Sequence, residues 1–202
     1  LPTLEQAKGI IVTPEPGTTT DERWEKETRY LVDDIGQRLA IERETCLLDF
    51  GCGVGRVAKE LIEQFGCRVI GVDSSKAMRL LAPEYVLSDR FLVWSPEVLE
   101  TMVGRGFRCD AAISLWVIQH VFDPAAVIRQ ICHTLRPRTL FYALNQKIRS
   151  VPTNVGWVDD GFDVPSGLRQ EFDEENIASL PENVTTPEIA AASMIQVLSR
   201  RP

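Results

Sequence analysis

The chain has 202 residues, 44% of them hydrophobic and 25% charged, with a formal net charge of −7. That length suits one domain with a sizeable core, and the composition is that of an ordinary globular protein rather than a disordered one. The acidic balance argues against nucleic acid as a partner, and no run approaches the roughly 20 uninterrupted apolar residues of a membrane span. Cys46, Cys52, Cys67, Cys109 and Cys132 show no paired short spacing. A disulfide framework or zinc site is therefore disfavoured, no metal is expected, and a reducing compartment is favoured. With no signal-peptide profile at the N-terminus, the expected location is cytoplasmic.

In chain order, Leu1 to Thr20 is rich in Pro, Gly and Thr without a sustained period, and reads as an irregular arm. Asp21 is a candidate cap for a helix on which Trp24, Thr28, Leu31, Ile35 and Leu39 share one face. Strand-like and helix-like runs then alternate. Cys46 to Phe50, Arg68 to Val72, Phe91 to Trp94, Asp110 to Leu115 and Thr139 to Leu144 read as strands. Arg56 to Phe65, Ser75 to Leu81, Pro96 to Val103 and Pro124 to Leu135 read as helices, the last two opened by a Pro suited to a first turn. Gln146 to Gly167, with Pro, Gly, Asp and isolated aromatics, reads as a long functional loop. Ser193 to Arg200 is a candidate closing strand, although Ala190 to Ala192 before it favour helix.

Continuous apolar strands separated by helices imply a parallel sheet covered on both faces. The expected fold is therefore α/β, a doubly wound, mostly parallel sheet with helices on both faces, whose ligands bind beyond the carboxyl ends of the strands. One domain over 1–202 is expected: an arm and lid helix over 1–41, a cofactor-binding core over 42–145, and a substrate loop with closing strand over 146–202.

Two segments point to a ligand. In LLDFGCGVGR, Gly51, Gly53 and Gly55 follow the first apolar strand at the ligand-facing edge, where a missing Cβ permits close approach to the main chain. A dinucleotide fingerprint needs a third glycine at the position held by Arg56, and no nucleoside-triphosphate loop is present. In VIGVD, a second strand ends in Asp73 about 20 residues later, where a carboxylate can accept both hydroxyls of a ribose. Asp49, ending the first strand, would repel a pyrophosphate and welcome an ammonium. A nucleoside joined to a positively charged amino-acid end meets those demands better than a dinucleotide.

LLDFGCGVGR followed by VIGVDSS resembles the first two signature motifs of class I S-adenosylmethionine-dependent methyltransferases. CDAAISLWVIQHV, Cys109 to Val121, is similar to that family's fourth strand and following turn, and TLRPRTLFYAL, Thr134 to Leu144, to its fifth strand and approach. The similarity covers about Thr20 to Leu144 and fades afterwards. It implies methyl transfer from S-adenosylmethionine, with S-adenosylhomocysteine as product. On this resemblance Asp49, Gly51, Cys52 and Gly53 line the methionine end of the cofactor, Asp73 binds the ribose, and Ser74 lies beside the adenine. Leu115 and Trp116 face the methyl group and the acceptor, and Arg29 on the leading helix meets the cofactor's carboxylate. The family often carries a Gly-Asp-Ala-like segment after its third strand. This chain has Val93-Trp94-Ser95-Pro96 there, so Ser95 would replace the carboxylate as a hydrogen-bonding group and Trp94 would supply an aromatic face.

Methyl transfer from a sulfonium is an in-line displacement, and alignment of the reactants can lower a barrier by about 7–11 kcal/mol. His120 is the candidate base, because an imidazole accepts a proton near neutral pH, with packing in the turn after the fourth strand as its alternative role. His133 reads as surface or structural, and Arg56 as a brace for the glycine turn. Trp157, Phe162, Asp159, Asp160 and Asp163 read either as an acceptor pocket favouring a cation or as an exposed acidic loop. The fourth strand ends Ser-Leu-Trp-Val, not the Asn/Asp-Pro-Pro run of adenine or glutamine methylases, which favours a small-molecule acceptor. Oxygen and nitrogen stay open as the atom methylated, as does the oligomeric state. Two alternatives stand beside this reading: a catalytically inactive S-adenosylmethionine-binding module, and a nicotinamide-dependent oxidoreductase.

Overall fold

A computed structural model describes residues 2–13 and 17–202. Leu1 and residues 14–16, part of the expected irregular arm, lie outside the described residues. The first element is a helix all the same, α1 (Leu4–Ile11), opened by a capping box in which Thr3 and Gln6 satisfy each other's backbone amides. The next helix, α2 (Thr20–Arg38), starts earlier than Asp21 suggested. Thr19 is its cap, because Glu22 three residues on returns the hydrogen bond to the Thr19 amide and completes a second box.

The core then runs β1 (Cys46–Phe50), α3 (Arg56–Phe65), β2 (Arg68–Val72), α4 (Lys76–Val86), β3 (Phe91–Trp94), α5 (Pro96–Gly104), β4 (Cys109–Leu115), α6 (Pro124–Thr134) and β5 (Leu135–Gln146). A single 3-10 turn, Ile118–His120, follows β4. Helix α4 continues past Leu81, its expected end, through Pro83 and ends where Leu87 takes a left-handed conformation. The end of the chain contributes a small hairpin of β6 (Val151–Thr153) and β7 (Gly156–Val158), then α7 (Val164–Glu171), β8 (Phe172–Ala178), α8 (Pro187–Ala192) and β9 (Ser193–Arg200). The alanines of 190–192 are helical and the closing strand begins directly after them.

The seven-stranded sheet has the order β3-β2-β1-β4-β5-β9-β8. Strands β1 to β5 pair in parallel, and β9 is antiparallel to both β5 and β8. The sheet is thus doubly wound and mostly parallel, as expected, with its order reversing at β1 and β4. Alternate residues explain the uninterrupted apolar strands. Leu47, Val69 and Ile113 enter the core on the side of α2 and α3 with Leu31, Ile35 and Leu61. Leu48, Ile70 and Ala112 enter the other, with Leu99, Ile128 and Leu168. No helix among the described residues is long and apolar enough to cross a membrane.

Candidate functional site

A cleft of about 840 Å³ opens above the carboxyl ends of β1, β2 and β4, within the range of sites that take small ligands and cofactors. Gly51, Gly53, Asp73, Leu115, Trp116 and His120 all line it. The remaining wall includes Arg23, Arg56, Met78 and Trp157, together with Gly9 to Ile11 of α1.

The glycine bend sets the floor. Gly51 and Gly53 have φ of +84° and +56°, a left-handed backbone that side-chain-bearing residues adopt at a cost. Both also make room for this chain's own walls. A Cβ on Gly51 would lie 2.1 Å from Val117, and one on Gly53 would lie 2.7 Å from Ile11 of α1. The close approach first attributed to a ligand is therefore made in part by the protein. Helix α1 covers this end of the cleft, held by Lys8 to Asp21 at 3.6 Å and by Arg23, which donates to the Thr13 carbonyl at 2.5 Å. The expected lid helix, α2, packs into the core through Leu31 and Ile35, while Arg23 near its start lines the cleft.

Two carboxylates define the electrostatics. Asp73, at the end of β2, accepts from the Gly53 amide through Oδ2 and from the Ser75 amide through Oδ1, each at 2.8 Å, so it ties the two ligand-facing loops together. Its carboxyl is raised, by burial above all, against those hydrogen bonds. Asp49 is 3% exposed and is not among the residues that line the cleft, and no hydrogen bond to its carboxylate is present among the described residues. Burial first, and then the charge of Asp73, push it up to about 7, with Arg56 pulling the other way.

A cluster of charge stands beside them. Arg56, the first residue of α3, is 4% exposed, lies 5.3 Å over the Trp24 ring and comes within 4.0 Å of Glu27. Its Nη1 and Glu27 Oε2 are both buried without a hydrogen-bond partner. Glu27 Oε1 receives Arg23 Nε at 2.9 Å and the Thr185 hydroxyl at 2.8 Å. Arg56 therefore does more than brace the turn: it lines the cleft with a donor to spare. Arg29, by contrast, stands on the exposed side of α2 beside Glu25 and does not line the cleft.

The opposite wall comes from β4 and the 3-10 turn. Trp116 has a φ of +62°, an unusual strain for a bulky residue, and its buried Nε1 has no partner. His120 Nδ1 lies 2.6 Å from the Ser150 carbonyl and Nε2 lies 3.0 Å from Gln119 Nε2. A carbonyl only accepts, so Nδ1 carries the proton. The Gln119 Oε1 accepts from the Gln146 amide, which leaves its NH₂ to donate to His120 Nε2. The Trp157 ring packs 5.3 Å from the imidazole.

Other expected contacts go elsewhere. Cys52 is buried with its sulfur toward Gly71 of β2. Ser74 is exposed and offers only its carbonyl to Arg79. Trp94 packs edge-on against Phe107, and Ser95 caps α5 through the Val98 amide. None of the four lines the cleft. In the late loop, Asp160 is committed to Arg149 through two 2.7 Å contacts, which hold it down to about 2. Arg149 also donates to the carbonyls of Ile118 and Val121, so this pair fastens the hairpin to the turn bearing His120. Asp160 is thus a structural anchor rather than part of a cationic acceptor pocket. Among the described residues no cluster of His, Cys, Asp and Glu could hold a metal ion.

A methyltransferase domain model matches residues 24–184. A ubiquinone biosynthesis O-methyltransferase from Methylobacterium sp. (strain 4-46) is 31% identical over 125 residues, 57% of this chain and 50% of that protein. The chain spans about half the length of the curated relatives it matches. A geranyl diphosphate methyltransferase solved with S-adenosylmethionine superposes with a TM-score of 0.65 at 16% identity, covering 95% of this chain and 94% of that one. Phosphoethanolamine N-methyltransferase 2 of Haemonchus contortus, also solved with S-adenosylmethionine, gives 0.65 at 14% identity over 86% of this chain and 53% of that one. At such identities the two structures establish the fold alone.

Proposed function

The chain belongs to the methyltransferase-domain family, and on that premise we propose that it binds S-adenosylmethionine in this cleft and passes the methyl group to an oxygen or nitrogen of a small molecule. The observation that carries the reading is Asp49, a buried carboxylate without a hydrogen bond among the described residues, whose charge couples to that of Asp73 on the cleft wall. Around these two carboxylates the site is short of positive charge, and Asp49 is short of donors. An adenosine with a sulfonium and an ammonium supplies both, whereas a dinucleotide would set a pyrophosphate against two carboxylates.

Asp49 receives the ammonium. Asp73 accepts the ribose hydroxyls with the lone pairs that Gly53 and Ser75 leave free. Arg56, with Arg23 beside it, takes the carboxylate role first given to Arg29, since its spare Nη1 sits at the N-terminal end of α3 where an anion is favoured. Met78 offers an apolar wall to the adenine in place of Trp94 and Ser95. The cofactor supplies a methyl already activated by the sulfonium charge. The protein's task is alignment and exclusion of water, for which α1, Leu115 and Trp116 close the sides. His120 accepts the acceptor's proton at Nε2 once the Gln119 amide gives way. The relative named for O-methylation supports oxygen as the atom methylated. Five unpaired cysteines accord with a cytoplasmic location.

Calorimetry tests this. S-adenosylhomocysteine should bind below millimolar concentration and a nicotinamide dinucleotide should not; binding of the dinucleotide alone ends the reading. Asp73→Ala should weaken S-adenosylhomocysteine by about tenfold or more, because ribose hydroxyls lose their partner. Arg56→Gln should erase the preference for S-adenosylhomocysteine over 5′-methylthioadenosine, which lacks the amino-acid end. A preference left intact removes Arg56 from the carboxylate site.

A further inference from the structure

At the end of the sheet away from the cleft, the roots of β1 and β4 bring two thiols together. The strands pair Leu47 with Ala111 and Leu48 with Ala112, so Cys109 lies one residue behind the position opposite Cys46. With strands about 4.8 Å apart and a rise of about 3.3 Å per residue, that offset puts the two Cα atoms about 6 Å apart, a span that a disulfide bridges. One residue of offset ordinarily sends two side chains to opposite faces. Here the β4–β5 pairing is interrupted beside Cys109, which faces Leu135 while Ala111 faces Leu140. Cys109 lies in the same core cluster as Leu48 and Ala112, and Cys46 packs against that cluster. The two sulfurs are 4.0 Å apart.

The two thiols are chemically unequal. Cys109 is sealed from solvent, whereas Cys46 is only half-buried. The hydrogen bond from Cys109 lowers the Cys46 thiol below its ordinary value, helped by the guanidinium charges of Arg68 and Arg136 and opposed by burial. The same hydrogen bond, and then burial, pushes Cys109 up. A nucleophilic, reachable sulfur thus stands beside a protonated resolving one, the arrangement of peroxide-sensitive dithiols. Cys52, Cys67 and Cys132 are buried and raised by desolvation, so they serve as internal controls.

We propose that Cys46 and Cys109 form an oxidation site for small peroxides that closes reversibly to an intramolecular disulfide. The Cys46 thiolate attacks a peroxide oxygen: the S–O bond forms, the O–O bond breaks, and hydroxide leaves. The Cys109 sulfur then displaces the sulfenic oxygen, which departs as water with the Cys109 proton. In sum two thiols and one hydrogen peroxide give one disulfide and two waters. The bond would pin together the roots of the two strands whose tips carry Asp49 and Leu115, and thiol exchange would release it.

The full chain, treated with hydrogen peroxide and then alkylated under denaturing conditions, should lose two of its five alkylation sites. A peptide map should join Cys46 to Cys109, dithiothreitol should restore both, and the melting midpoint of the oxidised chain should rise by roughly 5 °C or more. Cys46→Ser should keep its remaining thiols, and Cys109→Ser should accumulate a dimedone-reactive sulfenic acid at Cys46. The wild-type map decides alone should the Cys109 variant fold poorly. A disulfide between other cysteines, a Cys46→Ser chain that still loses two sites, or no oxidation at peroxide levels that consume free cysteine overturns the proposal.

Discussion

Replacing Asp49 by Asn probes the charge balance of the cleft directly. The folded chain holds this carboxyl at about 7, against 3.8 without the fold, because it is buried and faces Asp73. Below about pH 4 the group is protonated whether the chain is folded or not, and it costs nothing. Between about pH 4 and 7 only the unfolded chain ionises it, so stability falls as pH rises; above about 7 the cost is complete. Three pKa units at about 1.4 kcal/mol each make roughly 4 kcal/mol at most. Asn has the same shape and no charge. Asp49→Asn should therefore exceed the parent in stability by roughly 1.5 kcal/mol at pH 5 and up to about 4 kcal/mol at pH 8, read from urea unfolding. Binding should move the other way. An ammonium beside Asp49 restores its ionised form, so at pH 6 S-adenosylhomocysteine should expel close to one proton from the parent, seen as a binding heat that depends on the buffer. The variant should expel none and bind about tenfold or more weakly. A variant no more stable than the parent at pH 8, with undiminished affinity, refutes the electrostatic account.

Two further outcomes follow from the geometry of the walls. Gly51→Ala sets a Cβ 2.1 Å from Val117 on a backbone with φ +84°, and should cost about 2–4 kcal/mol of stability. Adding Val117→Ala should recover about 1 kcal/mol or more in a double-mutant cycle, and strict additivity would mean that the crowding is absent. His120→Gln should leave S-adenosylhomocysteine affinity within about twofold while methyl transfer falls about a hundredfold or more, followed as labelled methyl passing from S-adenosylmethionine to pooled hydroxyl-bearing metabolites. Equal transfer at every pH removes the imidazole as base.

The parallel core was legible because its strands are buried on both faces and therefore read as unbroken apolar runs, bounded by glycine or proline. Those strand tips carried Asp49, Asp73 and Leu115 to Trp116 with them. Edge elements follow other rules. Strand β8 is Phe-Asp-Glu-Glu-Asn-Ile-Ala and largely exposed; an edge strand protected by charge has no alternation to find. Helix α1 was written in Thr3-Leu4-Glu5-Gln6, a capping box hidden by the prolines and glycine around it. Arg56 was legible as a residue but not as a site. Its burial, and the donor left over within 4.0 Å of Glu27, arise only when α2 packs on α3. Trp94 and Ser95 stand outside the cleft for a local reason: Ser95 is the cap that α5 requires, and Trp94 turns to Phe107.

The division of charge in the cleft explains why glycines here do not imply a phosphate. Val117 and Ile11 already crowd the hydrogens of Gly51 and Gly53, so the bend cannot also serve as an open nest of amides around an anion. One of those amides, Gly53, is spent on the Asp73 carboxylate. The anion-binding capacity moves instead to the start of α3, where two arginines face one glutamate, Glu27, and leave a positive excess. The strand tips a short way off hold two carboxylates and a negative excess. A ligand that fits both halves must be anionic at one end and cationic next to it, which describes an amino acid; and it must carry hydroxyls toward Asp73, which describes a sugar. A pyrophosphate satisfies only the first half, and a plain nucleoside only the last. Selection between these ligands therefore resides in Asp49 and Arg56 together, and reversing either charge should cost recognition of the amino-acid end while sparing that of the nucleoside.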